Sequence, residues 1–262
     1  MLSKDEAISI ALYWANGEIN SEVVLQKTVA RFLSFLIPLE CEFKLNKFGS
    51  DCLEIRESSN TDFYEKTEYN WSGGKGKKYI LTNEGNELAK KSLKKIKNLI
   101  CEEELINVKN EITLVSKMNA TEASQNEHLK LLIDEDLRPK LIYRINNVHI
   151  SFLDIYNEIK NKEAINNAQI SLYGLIEYAF YLSKFIMEKR FKGIEDKGYD
   201  FDADMKDYYY LEYLENLIHI VKQNLNNPNE KNLDNHYNRM LNFAKEGYPF
   251  SLNNPDLLTL IK

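Results

Sequence analysis

The sequence of 262 residues predicts a mainly α-helical protein with one small β-hairpin. Apolar residues recur at the spacing of amphipathic helices through most of the chain. The exception is residues 62–81, where aromatic and β-branched residues flank a glycine-rich turn, as in a hairpin. The second half reads as further helices separated by short loops with Asn, Gly or Pro. We therefore expect an N-terminal domain that carries the hairpin, a long connecting helix and an all-α C-terminal domain.

The first helix is predicted from its ends. Ser3 and Glu6 have the spacing of a capping box, in which each side chain accepts a hydrogen bond from the other's backbone. Gly17 is suited to a left-handed helix end. Residues 18–20, directly after it, are expected to form a short strand.

Two more helices are expected before the hairpin. Ser21 is predicted to cap a second helix, whose apolar spacing continues to Leu36 before Pro38 stops it. Gly49 is expected to turn the chain, and a short third helix is predicted at residues 50–58, with Ser50 as its cap.

The hairpin is predicted from two strands, 62–71 and 78–81, around the glycine-lysine run at 72–78. Asn83 is then expected to cap a long helix that keeps its apolar stripe to Asn119. Such a length suits either dimerisation or a strut to the C-terminal domain, and the sequence leaves both open.

The C-terminal half is predicted to be a helical bundle that mediates oligomerisation or binds a partner. Helices are expected at 121–136, 151–165, 168–191, 203–225 and 233–246, with a break at Arg138–Pro139. We place the domains at 1–119 and 120–262. The adjacent tyrosines Tyr208, Tyr209, Tyr210 and Tyr213 are expected to pack in this bundle rather than stack on bases.

Composition narrows the range of functions. The hydrophobic fraction of 44% supports a real core, while the net charge of −6 argues against polyanion binding over the whole surface. Lysines crowd between Lys75 and Lys97, so nucleic-acid contact would depend on that region. The charged N-terminus and the broken apolar stretches predict a cytoplasmic protein without membrane contact.

No cofactor or metal is predicted. The cysteines Cys41, Cys52 and Cys101 have neither zinc-ligand nor disulfide-framework spacing, and the four histidines are scattered. The alternating acids Asp200, Asp202 and Asp204 lack the glycine and glutamate of a calcium loop, so a polar loop is expected there.

Residues 79–85, Tyr-Ile-Leu-Thr-Asn-Glu-Gly, resemble the end of the wing in many winged-helix proteins, and the element order over residues 1–100 is similar to that domain. The Leu25-Gln26-Lys27 helix and the later Lys47-Phe48-Gly49 turn resemble the YwgA-like winged-helix group. This resemblance implies duplex DNA binding, with the third helix in the major groove and the wing on the backbone.

The residue chemistry supports part of that expectation. The third helix carries Asp51, Glu54 and Glu57 against a lone Arg56, and carboxylates repel phosphates. Lysines at the hairpin tip and along the next helix suit phosphates better. The candidate nucleic-acid-binding residues are Arg56, Lys75, Lys77, Lys78, Lys90, Lys94 and Lys97.

Three functions remain open at this point. The first is a non-enzymatic winged-helix protein that binds double-stranded DNA, most commonly a transcription regulator. The second is an adapter, antitoxin-like or a defence-system subunit, that uses the winged helix to dock a protein partner. The third is a ribonuclease, because Arg144 and His149 have a spacing similar to that of the HEPN class; the pair Asn146–Asn147 is expected to break that segment.

Overall fold

The computed structural model describes residues 1–46, 49–59, 61–71, 74–131, 138–164, 166–187, 205–226 and 228–245. Within these ranges the chain is mainly helical with a small three-stranded antiparallel sheet, as the sequence predicts. It divides into two compact units, one of Met1–Asp134 with Asp204–Lys206 and the other of Glu135–Ala203 with Asp207–Lys262. None of the described helices combines the length and apolarity that a membrane span requires.

The elements up to residue 131 are α1 (Lys4–Trp14), β1 (Glu18–Ile19), α2 (Glu22–Ala30), β2 (Lys44–Asn46), β3 (Gly49–Asp51), α3 (Leu53–Arg56), β4 (Tyr64–Trp71), β5 (Gly74–Leu81), α4 (Asn83–Leu99), α5 (Glu102–Ser116) and α6 (Ala120–Leu131). The later helices are α7 (Arg138–Ile159), α8 (Asn167–Phe185), α9 (Met205–Asn224) and α10 (Glu230–Lys245).

The first two helices begin as predicted. Ser3 and Glu6 form the capping box of α1, and the Ser21 hydroxyl accepts a hydrogen bond from the Val24 N–H. Gly17 lies in the left-handed region with φ of 96°. The second helix is shorter than expected, because after α2 the chain tightens into a 3₁₀ turn and Leu36 adopts a left-handed conformation.

The core of the first unit lies where α1, α2 and α5 pack against one another. Its fully buried apolar residues include Ile8, Leu12, Leu25, Val29, Phe32, Val108 and Ile112. The three-stranded sheet has the order β1–β5–β4, and β5 also packs against α1 and α2. Strand β5 therefore packs on the same core as the helices; we call the β4–β5 hairpin the wing, after the winged-helix resemblance.

The hairpin is longer than the sequence predicts. Glu68 pairs with Lys77 and Asn70 with Lys75, so these lysines belong to β5 rather than to a loose tip. The tip residues Ser72–Gly73 lie outside the described residues.

The predicted third helix is wrong in its start and its length. Ser50 lies in β3, which pairs with β2, and α3 begins only after Cys52. Ser50 does not cap this helix because its hydroxyl and its N–H both donate to Glu127 on α6.

The predicted continuous helix from 83 to 119 is also wrong. The chain breaks at Ile100, which is extended (φ −127°, ψ 155°) and buried, and the Cys101 N–H then donates to the Glu104 carboxylate at 3.2 Å. The break allows α4 to pack on α1 while α5 returns to pack on both α1 and α2. No long connecting helix for dimerisation is present in this part of the chain.

Helix α6 packs on α2 and β3 and belongs to the first unit. The sequence places the domain division at 119/120, before this helix, whereas the first unit extends to Asp134.

In the second unit α8 packs against both α7 and α10. Helix α7 runs through Asn146–Asn147 without the break that the sequence predicts there. Both asparagines are exposed on the helix surface, where they compete little with its backbone. The α9 tyrosines Tyr208, Tyr209, Tyr210 and Tyr213 are all buried, which confirms that they pack in the interior.

Candidate nucleic-acid interface

Helix α4 presents a face of exposed lysines. Its opposite side, with Ala89, Ser92 and Ile96, is buried where the helix packs on α1. The exposed face carries Lys90, Lys91, Lys94 and Lys97, which we call the α4 lysine face.

Three of these four lysines form no ion pair with any residue that the structure describes. Lys90 is paired with Glu87 at 2.8 Å, one turn earlier. Lys91, Lys94 and Lys97 make no ion pair within the described part of the chain. This face therefore keeps a concentrated positive charge on a protein that is acidic overall.

The orientation of α4 is fixed by Glu6 on α1. Glu6 Oε1 accepts hydrogen bonds from Ser92 Oγ at 2.8 Å and from Lys95 Nζ at 2.7 Å. Burial raises the pKa of the Glu6 carboxyl, but the bonds from Lys95, Ser3 and Ser92 outweigh it, and the pKa lies below its usual range. Lys95 is thereby tied to α1 and does not belong to the lysine face.

The start of α4 is fixed against the sheet. Thr82, not Asn83 as predicted, caps the helix by accepting a hydrogen bond from the Gly85 N–H at 3.0 Å. A Cβ at Gly85 would lie 1.9 Å from the Phe63 carbonyl oxygen, so only glycine allows this close approach. The first turn of α4 therefore lies directly against the backbone just before β4.

The predicted wing lysines have carboxylate partners. Lys77 Nζ lies 2.6 Å from Glu22, Lys78 Nζ lies 2.6 Å from Glu18, and Lys75 Nζ lies 3.6 Å from Glu68. The last pair is weak, since the side chains of Lys75 and Glu68 are 76% and 67% exposed. The wing therefore has much less net positive charge than its lysines alone indicate.

Glu22 is the centre of a shared cluster at the base of the wing. Lys66 Nζ lies 3.5 Å from its carboxylate, and the Tyr79 hydroxyl donates to it at 3.2 Å. Burial, and then the Glu22 charge, raise the pKa of Tyr79 far above its usual range. The ammonium groups of Lys66 and Lys77 thus both contact the Glu22 carboxylate.

Arg56, the candidate contact from the third helix, has an acidic partner. It pairs with Asp51 at 3.3 Å, and α3 is only four residues long. The exposed side of α3 also carries Glu54 and Leu53, the latter 49% exposed. This helix presents an acidic and partly apolar surface.

Arg144 and His149 do not converge. Residues five apart on a helix point about 140° away from each other. Accordingly, Arg144 makes two hydrogen bonds of 2.6 Å to Glu215 on α9, whereas His149 contacts Ser183 and stacks on Phe180 of α8. The prediction that Asn146–Asn147 breaks this segment is wrong. The argument against a ribonuclease site at this motif is instead that the two side chains point apart.

Within the described ranges no three His, Cys, Asp or Glu side chains come together as metal ligands would. His236 is buried and contacts the Tyr213 hydroxyl and Arg239. The acids Asp200, Asp202 and Asp204 lie outside the described residues.

No family model, curated protein or solved structure matches this chain. The winged-helix resemblance therefore stays a prediction. Of the seven residues proposed from sequence, Lys90, Lys94 and Lys97 share one exposed face, while the wing lysines and Arg56 contact acids. Lys91, which helical spacing predicts beside that face, is exposed with them although it is not one of the seven.

Proposed function

We propose that the first unit is a winged-helix module that binds nucleic acid through phosphate contacts with the α4 lysine face. The observation that carries this proposal is the set of three exposed lysines, Lys91, Lys94 and Lys97, without a carboxylate partner among the described residues. The winged-helix assignment is supported by the order α1–β1–α2–α3–β4–β5, in which the β2–β3 pair is inserted between α2 and α3, and by the sheet order β1–β5–β4.

The mode of binding follows from the charges. Lysine ammonium groups contact phosphates without reading sequence, and a short acidic α3 is poorly suited to base edges. We propose that this unit binds duplex DNA with an affinity that depends little on base sequence and strongly on salt concentration. A role in transcription regulation is part of this proposal, with specificity supplied by a partner of the second unit.

The test is fluorescence anisotropy of the full chain with a random-sequence duplex at low salt. The triple variant Lys91→Gln, Lys94→Gln, Lys97→Gln is expected to weaken binding at least about tenfold. Lys109→Gln, which removes one exposed lysine of α5 outside the face, is the control for loss of a single charge and is expected to bind as the wild type. Equal loss in both variants, or none in either, would refute the assignment to α4.

A second candidate function, a protein-interaction adapter, is favoured by the surface of α3. Its acids and the exposed Leu53 suit a protein partner better than phosphates. This candidate predicts no duplex binding at low salt and a stoichiometric partner that co-purifies with the wild type. The variant Leu53→Glu is expected to lose that partner while Lys109→Gln retains it.

A further inference from the structure

The first unit contains a cleft beside the wing that the proposed function does not use. Three segments line it: Asn20–Val23 before and at the start of α2, the facing wing residues Tyr69 and Lys75–Lys77, and Lys117–Thr121 between α5 and α6. Its volume is about 890 Å³. We call it the wing cleft; small-molecule sites commonly measure about 300–1,000 Å³.

The wing cleft is lined by three lysines and one acid. Lys117 is exposed and makes no ion pair with the described residues. Among the described residues Lys75 pairs only with the solvent-exposed Glu68, and Lys77 shares Glu22 with Lys66. Among the residues that line the cleft, the three lysines outnumber the one acid, Glu22, and an anionic ligand would offset this excess positive charge.

The Tyr69 ring lines the same cleft as these charged groups. The Tyr69 hydroxyl donates to the Asn20 carbonyl oxygen at 2.7 Å, which ties the wing to the turn before α2. The ring lies against Gly76, where a Cβ would approach it to 2.6 Å. The ring is therefore fixed in orientation, yet Tyr69 remains 38% exposed and can stack on a flat ligand.

We propose that the wing cleft binds a nucleotide-sized phosphate ester. Its phosphates would contact Lys75, Lys77 and Lys117, and its ring would stack on Tyr69. The hydroxyls of Ser21 and Thr121 line the same cleft and supply neutral donors. The proposal is independent of the α4 lysine face, because α4 contributes no residue to this cleft.

The experiment is isothermal titration calorimetry of the full chain with two probes, ATP and inorganic tripolyphosphate, in metal-free buffer. The wild type is expected to bind both, and ATP more tightly. The double variant Lys75→Gln, Lys117→Gln should weaken both by roughly tenfold. Tyr69→Leu should weaken ATP alone, and Tyr69→Phe should retain ATP binding; Lys109→Gln is the unchanged control.

The outcomes separate this proposal from the proposed function. The proposal is overturned if neither probe binds at millimolar concentration. It is also overturned if the double lysine variant binds the probes as the wild type does. Equal affinity for ATP and tripolyphosphate overturns the role of Tyr69. If the double variant weakens duplex DNA binding while neither small probe binds, the cleft belongs to the nucleic-acid surface instead. The α4 triple variant is expected to leave ATP binding unchanged.

Discussion

Glu127 on α6 accepts two hydrogen bonds from Ser50 on β3, one from its N–H at 2.7 Å and one from its hydroxyl. Lys27 Nζ lies 3.0 Å from the same carboxylate and Arg31 Nη2 lies 3.3 Å from it. All four residues are buried. A single carboxylate thus joins α2, β3 and α6, although Ser50 and Glu127 are 77 positions apart.

The Glu127 cluster predicts a large loss of stability in Glu127→Gln. The neutral amide would leave Lys27 and Arg31 buried without their carboxylate, which typically costs about 3–5 kcal/mol. The measurement is urea unfolding followed by tryptophan fluorescence, because Trp14 and Trp71 both lie in the first unit. Glu103→Gln, at an exposed acid of α5, should shift the free energy of unfolding by less than about 0.5 kcal/mol. Equal midpoints for the two variants would contradict the cluster's role.

Gly85→Ala is expected to destabilise the junction between the wing and α4. The new methyl group would overlap the Phe63 carbonyl oxygen, which belongs to the backbone and cannot rotate away. A cost of about 1–3 kcal/mol is expected from such overpacking, despite the higher helix propensity of alanine. The readout is the midpoint of the same urea transition. Glu84→Ala, at the exposed neighbouring position, is the control. If Gly85→Ala is as stable as this control, the close approach of Gly85 to Phe63 is refuted.

Glu6 predicts a pH dependence of stability on the acid side. Because the pKa of its carboxyl is lower in the folded chain, its contribution is present at neutral pH and is lost as the pH falls below about 4.5. Glu6→Gln should therefore be less stable than the wild type at neutral pH, and the difference should shrink on acidification. Unfolding free energies across this range provide the measurement. A difference that does not change with pH would show that the hydrogen bonds to Ser92 and Lys95 do not favour the charged carboxylate.

Local signals in the sequence predicted the local structure well. The Ser3–Glu6 box, the Ser21 cap and the hairpin are each formed by residues close in sequence, and each is present. The break between α4 and α5 had a comparable signal that was overlooked. Glu104 stands three residues after Cys101, the spacing of a capping box with cysteine in place of serine. The unbroken apolar spacing across it indicated one helix instead.

The charges around the candidate site were not predictable in the same way. Glu18 and Glu22 are more than fifty positions from Lys78 and Lys77 and meet them only because β1 and α2 fold against β5. No spacing rule connects such residues. A lysine count therefore overestimated the charge of the wing, whereas the lysines of α4 could be placed on one face by helical geometry alone.

The central claim, phosphate binding by the α4 lysine face, is tested most directly by the salt dependence of duplex binding. The logarithm of the association constant is measured against the logarithm of salt concentration for the wild type and for Lys91→Gln, Lys94→Gln, Lys97→Gln. If three phosphate contacts are lost, the slope should become shallower by about 2–3 in the variant. A slope identical to that of the wild type, or no duplex binding by either protein at low salt, would contradict the claim.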